Sequence, residues 1–229
     1  MTTHTRLLPV FLLGAAVLGL GSRGGAEPFK IARIYIEYND SANDLGYHVT
    51  LDAEDWKSLK IVNPLGKMLF DVKGRGPYRD LGMTELFFEG AEPSLDEFPL
   101  DELLALFPEG EYAFAAATVG NTDLFSLATL THAIPDGPVV SAQVAGSNVT
   151  IRWDPVTAPP PGFPDRPIVI AGYQVIVETF QVTLPGTSTE VTVPKEYVES
   201  LGPGEHPFEV LAIETGGNQT LTEGTFELE

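Results

Sequence analysis

Cysteine is absent from the 229 residues, which excludes disulfide frameworks, thiolate metal sites and cysteine nucleophiles together. Basic residues are scarce: 13 Lys and Arg stand against 32 Asp and Glu, a formal charge of −19. Like charge repels, so neither nucleic acid nor an anionic membrane surface is expected as a partner. Histidine is rare as well, and past the first residues His48, His132 and His206 stand isolated. No serine sits in a Gly-x-Ser-x-Gly turn. No histidine pair has zinc-protease spacing, and no glycine-rich phosphate loop occurs. Gly74-Arg75-Gly76 is too short for such a loop and reads as a hairpin turn. These absences together point away from an enzyme.

What is present is enough apolar material for real cores, 43% hydrophobic and 10% aromatic, so global disorder is not expected. The one long apolar run lies at the start. Arg6 is followed by an uncharged stretch from Leu7 to Leu20, and then by the small residues Gly24-Gly25-Ala26. A basic start, a short apolar run and a small-residue exit predict a signal peptide over residues 1–26. The run is shorter than the roughly 20 residues a bilayer crossing needs, so no membrane association is expected after cleavage. An exported chain without cysteine suits a bacterial periplasm or exterior. Its net charge favours a soluble monomer.

Beyond residue 26 the apolar pattern alternates with period two. Strands are predicted at Ile31–Tyr38, Tyr47–Leu51, Leu59–Val62, Lys67–Val72, Thr84–Phe88, Tyr112–Thr118 and Leu124–Thr131. One short helix is expected after Pro99, where Leu100, Leu103, Leu104 and Phe107 follow at helical spacing. Ile134-Pro135-Asp136-Gly137-Pro138 reads as a linker with restricted freedom, because proline fixes its own backbone. Strands then resume at Val139–Val144, Val149–Trp153, Val169–Val177, Phe180–Leu184, Glu190–Val193, Phe208–Glu214 and Leu221–Phe226. Seven short strands in such a span is the count of an immunoglobulin-like sandwich.

Within that second half, Trp153 ends one strand, Gly172-Tyr173-Gln174-Val175 lies in the next, and Phe208-Glu209-Val210-Leu211-Ala212 lies in a later one. In this order the motifs resemble the fibronectin type III family over residues 136–229. The resemblance implies a tyrosine two positions before Phe208 whose hydroxyl ties a strand corner, but His206 stands there. Leu106, Pro108 and Tyr112 have the offsets of an intact corner in the first half. The expected fold is therefore all-β: two tandem immunoglobulin-like β-sandwich domains, residues 28–135 with one short helix and residues 136–229 resembling fibronectin type III.

Candidate sites are few. Asn39, Asp40, Asn43 and Asp44 concentrate oxygen ligands between two strands, which suits a hard cation such as calcium. They serve equally as a polar hairpin loop capping its own backbone. Asp52, Glu54 and Asp55 lie beside Trp56, an aromatic able to stack on a sugar. The segment 155–167 holds six prolines in thirteen residues, with Phe163 and Arg166 as candidate partner anchors. The resulting expectation is a secreted or periplasmic, non-enzymatic adhesion, scaffolding or ligand-binding module that meets a protein or glycan and needs no cofactor. The alternative is a carbohydrate-binding or calcium-dependent accessory protein with its site in the first domain.

Overall fold

The computed structural model describes residues 25–229; the signal peptide expected over 1–26 lies outside them but for its last two residues. Alternation along the chain becomes thirteen strands, with three short helices among the described residues. Strands β1 (Ile31–Asn39) and β2 (Asp44–Val62) form an antiparallel hairpin in which Ile36 faces Tyr47 and Asn39 faces Asp44. On β1, Ile34, Ile36 and Tyr38 point inward; on β2, Leu45, Tyr47, Val49 and Leu51 do the same, as a period of two requires.

Two predicted strands, Tyr47–Leu51 and Leu59–Val62, are the ends of one 19-residue strand. The polar run between them marks a bulge at Asp52–Trp56 rather than a turn. Before the bulge, β2 lies between β1 and β4 (Met83–Glu89). After it, β2 lies between β3 (Met68–Lys73) and β5 (Gly110–Thr118), and β5 pairs onward with β6 (Asp123–Leu130). A bulge bends a strand and increases its twist, so one strand serves both layers of a folded sheet. Tyr112 and Phe114 from β5 and Leu124 and Leu130 from β6 share the first hydrophobic core with the β1 and β2 residues.

The first half holds two short helices rather than one. The expected helix is α2 (Leu100–Leu106), which buries Leu103 and Leu104. The other, α1 (Pro77–Leu81), replaces the hairpin turn expected at Gly74–Gly76. It buries no residue, so it left no apolar period to read. Gly82 ends it at φ +80°, and a Cβ there would lie 2.7 Å from the Asp55 carbonyl carbon. Only glycine lets the connection pass this close to the β2 bulge.

In the second half, β7 (Val140–Ala145), β8 (Asn148–Trp153) and β11 (Glu190–Thr192) form one sheet. It packs on β9 (Ile170–Val177), β10 (Phe180–Pro185), β12 (Gly204–Glu214) and β13 (Gln219–Leu228). Trp153 and Tyr173 meet at the centre with ring centroids 5.3 Å apart, joined in this second core by Val175, Phe208 and Val210. A helix not anticipated from the sequence, α3 (Lys195–Leu201), covers one end through Val198.

The two cores lie on either side of residues 134–138, and one sheet runs through both. Its strand order is β10-β9-β12-β13-β1-β2-β5-β6. The join is a parallel pairing of β1 with β13, Glu37 opposite Gln219 and Tyr38 opposite Thr220. The proline-rich segment between the halves is itself packed, with Ile134 fully buried in the first core.

Candidate functional site at the seam

The residues expected to bind calcium form the tip of the β1–β2 hairpin. Asn39 Oδ1 accepts the backbone N–H groups of Ser41 and Ala42, each at 3.0 Å. Asn43, at φ +55°, accepts from the Tyr38 hydroxyl at 3.2 Å and donates to Asp96 at 3.3 Å. The two asparagine oxygens thus hold their own loop and its neighbours, the polar-hairpin arrangement. Burial raises the carboxyls of Asp40 and Asp44 above their ordinary range, with the charges of Asp136 and Glu223 respectively adding to the effect.

Trp56 is not placed to meet a ligand. Its side chain is 1% exposed and lies in the first core, because the bulge in β2 turns it inward beside Ala53 and Leu59. Phe163 and Arg166, expected to meet a partner, contact the other half of the same chain. Phe163 packs on Tyr38 at 4.8 Å between centroids, and Arg166 Nη2 donates to Glu109 Oε2 at 2.6 Å. Ala158 accepts the Asp136 N–H at 2.9 Å, so the proline-rich loop is tied back to the linker as well. The ion pair with Arg166 holds the Glu109 carboxyl below its ordinary range.

Asn218 stands at the centre of the seam, 1% exposed. Its Oδ1 accepts the Ile36 N–H at 2.9 Å; its Nδ2 donates to Thr131 O at 2.8 Å and Ala133 O at 3.0 Å. Thr220 Oγ1 donates to Pro135 O at 2.5 Å. Asn218, just before β13, and Thr220 within it thereby satisfy backbone groups of β1 and of the linker, which would cost dearly if buried unpaired.

One cluster beside this seam escaped the reading of the sequence. Glu37 from β1, His48 from β2 and Glu92 from the loop after β4 bring three metal-ligand atoms within 4.8 Å of one another. Glu37 and His48 lie on the outer face of the sheet, the parity opposite to Ile36 and Tyr47. His48 is nevertheless 4% exposed, covered by the rings of Tyr35 at 5.1 Å and Phe87 at 5.8 Å. Its Nε2 lies 3.4 Å from Glu92 Oε1 and 3.8 Å from Glu37 Oε1. Glu92 reaches the site across Gly46, where a Cβ would come 2.6 Å from Glu92 Cγ. Burial pushes the Glu92 carboxyl above its ordinary value; the bond to His48 opposes this, and the charges of Glu37 and Glu89 add to it. Strand parity alone pairs His48 with Glu37. Glu92 is invisible to parity because it sits in an irregular loop.

No protein-family model matches the chain, and no curated protein sequence matches it. Solved structures similar to it include the fibronectin(III)-like modules of CbhA from Clostridium thermocellum. That likeness has 11% identity and a TM-score of 0.29, over 91% of this chain and 92% of that one. A tetra-tandem repeat from the extending region of a large adhesion protein is 11% identical at a TM-score of 0.28, over 87% of this chain and 50% of that one. The spore cortex lytic enzyme SleM of Clostridium perfringens is 18% identical at a TM-score of 0.33. There the match covers 41% of this chain and spans 28% of SleM. Likenesses this distant carry no argument about function.

Proposed function

We propose that the chain is an exported, non-enzymatic adhesion or scaffolding module, built of two β-sandwich domains at residues 28–135 and 136–229 and held as a stiff pair. The observation that carries the reading is the seam itself. A parallel strand pairing, the three hydrogen bonds of the Asn218 amide and the Phe163 and Arg166 clasp all fasten one half to the other. A spacer or scaffold works by holding its ends at a set distance, and domains joined by a free linker do not. The buried Trp153, Tyr173, Val175, Phe208 and Ala212 support a fibronectin type III-like identity for the second domain, since these are the residues that carry the resemblance. No helix among the described residues is long and apolar enough to cross a membrane. Export, to a bacterial periplasm or exterior, rests on the character of residues 1–26.

A protein or glycan is the partner class this reading implies. The test is the purified full chain, assayed against chromogenic esters and glycosides beside binding to arrayed surface glycans and matrix proteins. Saturable binding without turnover is expected. Turnover that follows the protein through purification overturns the reading.

A further inference from the structure

We propose that Glu37, His48 and Glu92 form a divalent-metal site of zinc-like chemistry on the outer face of the seam. The spacing argues for it first. His48 Nε2 stands 3.4 and 3.8 Å from the two carboxylate oxygens, both longer than the 2.7–3.2 Å of an ordinary N–H···O bond. Ligands held about 2.0–2.2 Å from a tetrahedral zinc ion lie about 3.4 Å from each other. Both distances are close to those of neighbours around such an ion, the 3.4 Å approach to Glu92 being a long hydrogen bond without one, and all three donor atoms lie within 4.8 Å of one another.

Burial argues for it next. The His48 side chain is 6% exposed, and its ring is fixed between Tyr35 and Phe87, so Nε2 is aimed at the two carboxylates with little freedom to turn away. Glu37 is braced in turn by Gln219, whose side-chain amide donates to its other carboxylate oxygen. Support of this kind orients ligating carboxylates. Glu92 lies over Gly46, which leaves its carboxylate the shortest path to the imidazole. Glu89 sits opposite His48 on β4 and adds negative charge, so a bound cation relieves repulsion that the apo site carries.

The donor set selects the ion. Calcium and magnesium take oxygen ligands, whereas imidazole suits zinc and its neighbours. Three protein ligands leave a fourth position for water or a partner's group. The site is separate from the Asn39–Asp44 loop and stands whether or not the module reading holds.

The experiment is calorimetric titration of the full chain with zinc chloride, with calcium chloride in parallel. One saturable zinc site is expected, weakened at least tenfold in Glu92→Gln and in Glu37→Gln. Gln219→Ala loses affinity by about tenfold, as for an outer-shell brace, and Asp40→Asn binds as the parent does. Glu92 is partly exposed, so Glu92→Gln keeps the fold, which far-UV circular dichroism verifies. Absence of zinc binding at about 1 mM, well above the range of structural zinc sites, overturns the proposal. So does zinc affinity undiminished in both glutamine variants, or calcium binding that Asp40→Asn abolishes and zinc does not share.

Discussion

Asn218 accepts the backbone N–H of Ile36, 182 residues earlier in the chain, at 2.9 Å. The bond lies where β13 meets β1, and the same amide donates to Thr131 and Ala133 on the other side. One side chain thus satisfies three backbone groups drawn from both β1 and the approach to the linker. Asn218→Ala leaves one buried N–H and two half-buried carbonyls without this partner. The expected cost is about 2 kcal/mol or more, since a buried orphan costs about 1–3 kcal/mol and the half-buried carbonyls less, as water restores part of their bonding. Urea unfolding measures it, and the variant is expected to separate into two transitions. A loss below about 1 kcal/mol, the worth of a single ordinary hydrogen bond, contradicts the role assigned to this residue.

Both halves close a strand corner in the same way. Tyr112 donates its hydroxyl to Pro108 O at 3.0 Å, and His206 Nε2 meets Gly202 O at 3.1 Å, each four residues back. Tyr112→Phe removes only that bond, and a loss of about 1 kcal/mol in thermal or denaturant unfolding is expected. His206→Ala is expected to cost more, because it also empties a buried position against Phe226. His206→Tyr restores the donor and should recover most of that loss. Equal losses in His206→Ala and His206→Tyr would mean that the corner bond contributes nothing.

The acidic seam sets the pH response. Burial raises Asp40, Asp44, Glu92 and Glu209 above their ordinary values of 3.8 for Asp and 4.5 for Glu. A raised carboxyl contributes stability in full below its unfolded pKa and loses it as pH rises through the folded one. Glu109, lowered by Arg166, works the other way: its contribution is present above the ordinary value and lost as pH falls through the folded one. Four raised groups outnumber one exposed ion pair, so melting temperature should climb as pH drops from neutral through the raised carboxyls' range toward their ordinary values of 3.8 and 4.5. Added salt at pH 7 should raise it too, because Glu209 stands directly opposite Glu223 and screening weakens such repulsion. A melting temperature that falls steadily from neutral pH down to the ordinary Glu value of 4.5 would contradict this.

Trp56 is a core residue, so Trp56→Ala should destabilise by about 3–5 kcal/mol, the cost of deleting a large buried aromatic. Glycan binding, if the chain shows any, should vanish in this variant only to the extent that the protein unfolds. Selective loss of binding in a folded Trp56→Ala protein would return the residue to the surface role first expected of it.

Most strands were legible because alternation is a direct record of which face meets the core: Ile34, Ile36 and Tyr38 are inward on β1, as their spacing predicts. The second half was clearest, since Trp153, Tyr173 and Phe208 are large and converge on one centre. Helix α1 was hidden because it buries nothing. The continuity of β2 was hidden because a bulge and a turn look alike when both are written in Asp, Glu and Ser. The seam was illegible for a different reason. Asn218 follows Gly216-Gly217, which marks a turn and says nothing of a partner 182 residues away. Phe163 and Arg166 were expected to meet a partner, and they grip their own chain; a sequence does not reveal which of the two a side chain will hold.

The central claim is that the two halves move as one body, and residual dipolar couplings of the weakly aligned full chain test it most directly. Couplings from residues 28–135 and from 140–228, fitted separately, should return the same alignment tensor, and Asn218→Ala should split it into two. Two distinct tensors in the unsubstituted protein would contradict the account.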